Sequence, residues 1–317
     1  MGQEVDRAHA PRMNTALAVT ASSLPIRDEL PPWLDRTIYP YLPRAFATDI
    51  GTMRYLDEGR GRPVVIVHGT PSWSFEWRKV ISELATTHRV IVPDHLGFGL
   101  SDKPRGPAAL RPEDHAERLA RLLRTLDVND AILVGHDFGG PIGLGAALRE
   151  TGRFTAFVMS NTWMWSLADR ADVRRLSAIV GSPLGKLLYL GLNASPRWMV
   201  PLAFGDRHAL TRDVHLHYMA PFPRWRTRIG PWKLGVELSA SSTFYAQLWD
   251  ARAKVAHRPM RLVWGERDPT FGARELERWM AAFPHAVVMR VEGAGHFVAE
   301  EAPGAVVEAV RATTAAE

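Results

Sequence analysis

The chain has 317 residues, 46% of them hydrophobic and 23% charged, enough for one large core or for one domain that carries an insertion. It contains no cysteine, which excludes disulfides, thiol catalysis and thiolate metal ligands. The formal net charge is +5, and the basic residues are scattered along the chain. They form no basic tract interleaved with aromatic residues, so we expect no nucleic-acid partner. No stretch approaches the roughly 18 consecutive apolar residues of a membrane span. We therefore expect no membrane partner and a cytoplasmic location, while the oligomeric state stays open.

Residues 1–35 are predicted to be a flexible extension outside the folded domain. Their longest apolar run, ALAV at 16–19, is too short for the hydrophobic region of a signal peptide. The prediction of folded elements therefore starts after this extension.

The first half of the chain alternates between strand-like and helix-like patterns. Continuous apolar runs that end at a turn are typical of parallel strands buried on both faces. Helix-like segments between such runs predict βαβ units and a mainly parallel sheet. In chain order the predicted elements are strands at 51–59 and 62–69, a helix at 74–87, a strand at 88–94, a helix at 112–127, a strand at 130–137, a helix to about 149 and a strand at 154–161.

This alternation stops at residue 162 and resumes after residue 251. The intervening stretch has no clear buried strand, and an insertion between parallel strands is a natural lid over an active site. We therefore predict a core of residues 36–161 and 252–317 and a helical cap of residues 162–251. The predicted cap helices lie at 172–180, 185–192 and 212–220, and the later core elements are strands at 259–268 and 286–296 and helices at 272–284 and 299–313.

Asp137 stands at the most informative point of the sequence, in LVGHDFGGPIG at 133–143. It lies between Gly135 and Gly139, after a predicted strand and before a predicted helix. Strand, sharp turn and helix form the nucleophile elbow, G-x-Nuc-x-G, here with a carboxylate in place of the usual serine. Asp137 could instead cap the helix, but a cap does not require glycine on both sides.

Two further polar residues follow later strands in the order expected for such an enzyme. They are Asp268 in WGERDPTF and His296 in GAGHF, and the order nucleophile, acid, histidine predicts a catalytic triad. Asp268 precedes a proline and could be only a turn residue, with Glu266 as a competing acid. His136, beside the nucleophile, is expected to pack rather than to act as the base.

Thr70 and Phe138 are predicted to bind a developing negative charge. Thr70 lies just past a strand in VHGTP, and Phe138 follows the nucleophile at a helix N-terminus. Their backbone N–H groups would form an anion hole.

A carboxylate nucleophile restricts the chemistry. An aspartate with an ordinary pKa near 4 is ionised at neutral pH and attacks without a base. Attack on an acyl carbon would give a reactive anhydride, whereas attack on an sp³ carbon that carries a leaving group gives an ordinary ester. His296, held by Asp268, would then deprotonate the water that hydrolyses this ester. The scheme needs neither a cofactor nor a metal, and we expect none.

These residues resemble the α/β-hydrolase superfamily and, within it, the haloalkane dehalogenases. HGTPSWSFEWR at 68–78, DFGGPIG at 137–143 and GAGHFVAEEAP at 293–303 carry the resemblance, which covers about residues 45–312. It implies an α/β fold with a mostly parallel central sheet flanked by helices, and an inserted helical cap. It also implies a small apolar substrate and water as the reaction partners. The substrate pocket is expected to include Trp163, Tyr218 and Phe222.

Two positions depart from the dehalogenase pattern. Members of that family usually bind the departing halide with side-chain N–H groups, from a Trp after the nucleophile and often from an Asn after the H-G pair. Here these positions are Phe138, which has no N–H, and Thr70, which offers one hydroxyl donor. Loss of one such donor costs about 3 kcal/mol, roughly a hundredfold in rate.

The electrophile therefore stays open at this point. The G-H-D-x-G elbow equally resembles epoxide hydrolases, in which cap tyrosines protonate the leaving alkoxide, and Tyr189, Tyr218 and Tyr245 are the candidates. A hydrolase that opens β-lactones is a third possibility. A non-catalytic binding protein is disfavoured because all three triad residues are present.

Overall fold

A computed structural model of the chain describes residues 30–314, which build an eight-stranded sheet with helices on both faces. The strand order is β1-β2-β4-β3-β5-β6-β7-β8; β2 pairs antiparallel with both β1 and β4, and the other neighbours are parallel. The strands are β1 Arg44–Ala47, β2 Thr52–Gly59, β3 Pro63–Val67, β4 Arg89–Pro93, β5 Ala131–Asp137, β6 Phe154–Thr162, β7 Met260–Gly265 and β8 Val287–Val291.

Helices follow most of the parallel strands and cover the sheet. The longest of these, α2, begins with Pro112, which suits the first turn of a helix because no intrahelical partner is needed for its missing N–H. The helices are α1 Arg78–Leu84, α2 Pro112–Thr125, α3 Gly139–Arg149, α4 Ala171–Gly181, α5 Pro183–Lys186, α6 Val200–Ala203, α7 Arg212–Met219, α8 Ile229–Ala240, α9 Ser242–Asp250, α10 Ala273–Ala282, α11 Val298–Glu301 and α12 Pro303–Thr314.

The core lies in two apolar layers, one on each face of the sheet. Side chains of a strand alternate between its faces, and β3 shows this directly. Val65 and Val67 belong to one layer, whereas Val64 and Ile66 belong to the other. A strand that is apolar at every position is therefore buried on both faces, which is why a continuous apolar run predicted it correctly.

The predicted fold class is confirmed. Strands β2 to β8 correspond to the seven strands expected from the sequence, and the parallel pairing from β3 onward follows. The sequence patterns missed β1, a four-residue edge strand, RAFA, that pairs only with β2. The last predicted helix is divided: α11 ends at Glu301, and α12 starts at Pro303.

All described elements between β6 and β7 are helical. Part of this stretch is irregular, because Leu187–Gly191 and Ser195–Met199 are π-helical turns. The division into a core and a cap at residues 162 and 251 stays our prediction, and "cap" below means residues 162–251.

Residues 1–29 of the predicted extension lie outside the described residues. Residues 30–35, which we also assigned to the extension, pack on the domain instead. Leu34 is buried, Trp33 packs edge-on against Trp73 with ring centroids 5.8 Å apart, and the Asp35 N–H donates to Nε2 of His217 over 3.1 Å. The apolar side chains at 33 and 34 explain why this part belongs to the folded domain.

Candidate active site

Asp137 occupies a sharp bend at the end of β5, directly before α3. Its φ is 51°, a left-handed backbone conformation that is uncommon for residues other than glycine. The bend depends on close backbone packing: a Cβ at Gly139 would lie 1.9 Å from the Val67 carbonyl oxygen, and one at Gly69 would lie 2.2 Å from Oδ1 of Asp137. Glycine at these positions therefore lets the carboxylate stand at the carboxyl end of the sheet.

Two backbone N–H groups hold the Asp137 carboxylate. Thr70 N–H donates to Oδ1 over 2.8 Å, and the N–H of Phe138 also bonds the carboxylate. The Thr162 hydroxyl donates to the Asp137 carbonyl oxygen over 2.5 Å and fixes the bend from β6. The two donors expected at residues 70 and 138 thus lie at the nucleophile position.

His296 connects Asp137 with Asp268. Nδ1 of His296 lies 2.7 Å from Oδ2 of Asp268, and its Nε2 lies 3.6 Å from Oδ2 of Asp137. All three side chains are almost completely buried. The structure therefore brings together the three residues expected from the sequence, whereas Glu266, the competing acid, is exposed and pairs with Arg290 over 3.6 Å.

The charges of the site shift the ionisation of each group. Burial raises the pKa of Asp137 above its ordinary value, against the opposing effect of His296. Burial would lower the pKa of His296, but the Asp268 charge and hydrogen bond, with further help from Asp137, raise it to about 9. Burial would raise the pKa of Asp268, but the charge and hydrogen bond of His296 outweigh it and lower that pKa.

Asn161 is a partner of Asp268 that the sequence reasoning missed. It lies at the end of β6 with φ 36°, and its Nδ2 donates to Oδ2 of Asp268 over 2.9 Å. Its Oδ1 accepts from the N–H of Gly265 over 2.8 Å, so the amide is fixed at both ends. A polar residue at the carboxyl end of a buried parallel strand was the available signal.

A third carboxylate and a second histidine lie behind the triad. Oε1 of Glu76 is 2.8 Å from Nδ1 of His136, and the His136 ring is 4.4 Å from the His296 ring, centroid to centroid. Glu76 also accepts a short hydrogen bond from Ser72. Burial would raise the pKa of Glu76, but His136 and Ser72 outweigh it and lower that pKa. His136 packs against the triad, as expected, but Glu76 was missed.

A cavity of about 210 Å³ opens above Asp137. Its floor contains Thr70, Asp137, Phe138 and His296, and the rest of the lining is mainly apolar. The main contributors from the cap are Leu176, Val180, Tyr189, Met199, Val200, Leu202, Ala203, Pro231 and Leu238.

The three expected pocket residues do not line this cavity. Trp163 is buried behind Phe138 and stacks on Phe271, with ring centroids 4.9 and 4.7 Å away. The Tyr218 hydroxyl donates to Oε1 of Glu300 over 3.0 Å in the opposite core layer, and Phe222 packs edge-on against the core residue Phe98. These expectations were wrong because large aromatic side chains were taken as pocket lining, whereas here they fill the core.

Among the described residues that line the cavity, one has a buried side-chain donor without a hydrogen-bond partner. Within residues 30–314, the buried Thr70 hydroxyl has no hydrogen-bond partner, and Thr70 lines the cavity. The indole N–H of Trp163 is also without a partner in this part of the chain, but Phe138 lies against that ring and Trp163 does not line the cavity.

The tyrosine pair that an epoxide hydrolase would need is not assembled here. Of the three candidates only Tyr189 lines the cavity, and its hydroxyl contacts the sulfur of Met199 at 3.1 Å. Tyr218 is bonded to Glu300, and the Tyr245 hydroxyl donates to the Glu237 carbonyl oxygen over 3.0 Å. The geometry therefore gives the epoxide alternative no support.

Among residues 30–314, no group of three His, Cys, Asp or Glu side chains is placed so that it could hold a metal ion. His215 and His217 have protein partners: the former contacts the Pro196 carbonyl oxygen at 2.9 Å, and the latter contacts the Asp213 carbonyl oxygen at 2.7 Å. The described helices include none with the length and apolar character of a membrane span.

Comparison with known proteins agrees with this geometry. A family model for the alpha/beta hydrolase fold matches residues 62–181. Haloalkane dehalogenase 2 of Mycobacterium tuberculosis is 31% identical over 278 residues, which cover 87% of this chain and 96% of that protein. A cis-3-alkyl-4-alkyloxetan-2-one decarboxylase of Shewanella oneidensis is 33% identical, with 87% of this chain and 89% of that protein covered.

Solved structures show the same fold. A loop variant of the haloalkane dehalogenase DbeA from Bradyrhizobium elkanii superposes with a TM-score of 0.76 at 24% identity, covering 86% of this chain and 98% of that one. The haloalkane dehalogenase DatA from Agrobacterium tumefaciens gives a TM-score of 0.77 at 20% identity, with 86% and 96% covered.

The fold and the sequence relatives together define the class: this protein is an enzyme of the hydrolase type built on the α/β-hydrolase fold. More narrowly, the chain belongs to the α/β-hydrolase family and is haloalkane dehalogenase-like.

Proposed function

We propose that Asp137 displaces a leaving group from a saturated carbon and that the resulting ester is hydrolysed by water activated by His296. The observation that carries this proposal is the position of the Asp137 carboxylate at the floor of an apolar cavity, with Nε2 of His296 3.6 Å from it. A substrate carbon in this cavity meets an anionic nucleophile from which water is largely excluded.

The first step forms a bond from Asp137 to carbon, while the leaving group departs with the bonding electrons. The N–H groups of Thr70 and Phe138 hold the carboxylate in place, and the unpartnered Thr70 hydroxyl supports the leaving group. This step needs no proton transfer, so a protonated His296 does not impede it.

The second step depends on a change in the charge of the site. The ionised Asp137 contributes to the raised pKa of His296. Ester formation removes that negative charge, so the pKa of His296 falls and the imidazole becomes available as a base. It then takes a proton from water, which attacks the ester carbonyl, and the oxyanion that forms meets the same backbone donors. The intermediate collapses as its alkoxide takes the proton back from His296 and departs as the alcohol, and the Asp137 acid then releases its own proton to regenerate the carboxylate.

Halogenated alkanes are the substrate class that we place first, because haloalkane dehalogenases of Mycobacterium tuberculosis and Mycobacterium marinum are relatives over most of the chain. The Phe138 side chain supplies no N–H for a halide, so we expect slower halide release than an enzyme with two side-chain donors would give.

A strained β-lactone is the second candidate. It is favoured by the name of one relative and by the lack of a side-chain N–H at Phe138. One relative is named as an oxetan-2-one decarboxylase, and an oxetan-2-one is a β-lactone. Attack of Asp137 on the saturated ring carbon that bears the ring oxygen would break that C–O bond and release a tethered carboxylate. Loss of carbon dioxide from this carboxylate, with its bonding electrons forming the C=C bond and Asp137 departing from carbon, would give an alkene and regenerate the Asp137 carboxylate. Hydrolysis of the ester by water would instead give a β-hydroxy acid. A carboxylate stabilises its own charge by resonance, so this leaving group depends less on a donor at position 138.

The test compares wild type, His296→Phe and Asp137→Asn with a brominated alkane and with a cis-3,4-dialkyl oxetan-2-one. We expect His296→Phe to accumulate a covalent adduct with the brominated alkane, visible by intact mass and located on Asp137 by peptide mapping, and Asp137→Asn to form none. Product formation by His296→Phe without any adduct would contradict the two-step scheme. Halide, alcohol, carbon dioxide and alkene are measured separately to distinguish the two substrate classes.

A further inference from the structure

Exposed apolar side chains are concentrated in one part of the cap. Single exposed apolar residues are normal on protein surfaces, whereas a group of them marks an interaction site. Within residues 30–314, eight of the twelve large apolar side chains with high exposure fall between residues 173 and 205, and Leu187 and Leu202 are 60% and 65% exposed. We call these eight the apolar cap face: Leu176, Ile179, Leu184, Leu187, Leu192, Trp198, Met199 and Leu202.

This face is continuous with the entrance of the active-site cavity. Leu176 on α4, Met199 in a π-helical turn and Leu202 on α6 are exposed to solvent and also line the cavity. Ile179 lies three residues from Leu176 on the same helix, and such residues share a helix face. An apolar molecule that lies against this face is therefore next to the path that leads to Asp137.

The charge of the same segment is one-sided. Residues 173–205 contain Arg174, Arg175, Lys186 and Arg197 and no Asp or Glu. None of these four cations forms an ion pair with another residue of the described part of the chain. A second copy of the chain, docked through the same face, would bring like charges together, which disfavours self-association. An anionic and apolar surface is the complementary partner.

We propose, in contrast to the sequence-based expectation of no membrane partner, that the apolar cap face docks on anionic phospholipid. An apolar substrate would enter the cavity from that surface, a step that rests on the proposed function. Leucine and tryptophan side chains with lysine and arginine around them are the combination that places a helical segment in a lipid interface. Trp198 suits this boundary because an indole has an apolar body and a polar N–H. The docking is peripheral. Vesicle binding is measured without substrate, so its result can be distinguished from success or failure of the reaction proposed at Asp137.

The first experiment measures co-sedimentation of the full chain with phosphatidylcholine vesicles and with vesicles that also contain phosphatidylglycerol. We expect at least about tenfold tighter binding to the anionic vesicles, weakened by high salt. Two variants probe the face: Leu184→Ser with Leu187→Ser, and Arg175→Glu with Arg197→Glu. The matched control is Met280→Ser with Val287→Ser, at apolar residues 40% and 52% exposed and outside the cap.

Each cap variant should lose about tenfold in binding, while the control keeps wild-type binding. Equal binding to the two kinds of vesicle, or an equal loss in the control, would overturn the proposal. Activity on a short water-soluble substrate is compared in parallel to verify that the variants are folded.

Hydrogen exchange of the wild-type protein gives a test that no folding defect can obscure. We expect anionic vesicles to slow amide exchange in peptides from residues 173–205 and to leave peptides from β7 and α10 unchanged. Absence of protection in that segment would refute the lipid site, as would concentration-dependent dimerisation that protects the same segment without vesicles.

Discussion

The floor and the roof of the cavity are built in different ways. The floor consists of the polar ends of β5, β6 and the loops after β7 and β8, where Asp137, Asp268 and His296 are buried and hydrogen-bonded. The roof comes from the helical cap and is mainly aliphatic, and part of it is exposed to solvent. We infer that the floor determines the class of reaction and the roof determines which molecule arrives.

This difference has a physical basis. A buried charge is tolerated only when other groups compensate it, so each floor side chain depends on several partners and the whole assembly is rigid. An aliphatic roof makes non-directional contacts, and an apolar side chain of similar size can replace another at small cost. Substitutions in the two regions should therefore differ in kind.

The largest effect is expected for a substitution in the floor. Asp137→Asn removes the anionic nucleophile, and we expect activity on every substrate to fall by roughly 10⁴-fold or more. Leu202→Ala in the roof should change KM by less than about tenfold and alter the preference for chain length. Steady-state kinetics with brominated alkanes of increasing length provide the comparison. If Leu202→Ala instead lowered kcat equally for every chain length, the proposed difference between floor and roof would be contradicted.

A smaller effect is expected at Phe138, where the floor meets the leaving group. Phe138→Trp adds an indole N–H near the departing group, and we expect halide release to rise by up to about a hundredfold. Turnover of an oxetan-2-one should not gain in the same way, because its leaving group is a tethered carboxylate. Trp163, which lies against Phe138, is the contact that has to adjust. Equal gains with both substrates would indicate a packing effect instead of a new donor.

The smallest effect concerns the buried Glu76, which acts on the triad from behind. Its negative charge contributes to the raised pKa of His296. Glu76→Gln removes that charge, so the pKa of His296 should fall, and hydrolysis of the ester, which needs neutral His296, should persist to lower pH.

Single-turnover rates of ester hydrolysis as a function of pH measure this shift. The matched control is Glu275→Gln, a buried acid paired with Arg170 over 2.8 Å. An unchanged profile in Glu76→Gln, or the same shift in Glu275→Gln, would show that Glu76 does not act on His296.

Sequence patterns predicted the floor well and the roof poorly, for physical reasons. Apolar runs specify parallel strands, and parallel strands place their carboxyl ends at one edge, so residues 137, 268 and 296 could be expected to meet. The roof depends on how irregular helices pack over this edge, which local periodicity does not encode. Trp163 and Tyr218 were therefore assigned to the pocket, whereas packing buries both elsewhere.

Asn161 and Glu76 were missed for a different reason. A single polar residue in an apolar stretch is compatible with many roles, and only the fold shows its partner. Nδ2 of Asn161 is 2.9 Å from Asp268, which lies 107 residues away in sequence. Glu76 is 60 residues from His136, which it contacts at 2.8 Å.

The central claim is that Asp137 forms a covalent ester that water then hydrolyses. A single turnover in water enriched in ¹⁸O tests this claim most directly. The substrate is an alkyl halide that the enzyme converts to an alcohol, and the peptide that contains Asp137 is then analysed by mass spectrometry. Since water attacks the ester carbonyl, one ¹⁸O atom should enter the Asp137 carboxylate and the alcohol should carry unlabelled oxygen. Labelled alcohol with an unlabelled Asp137 would mean that water attacks the substrate directly, and the account would be contradicted.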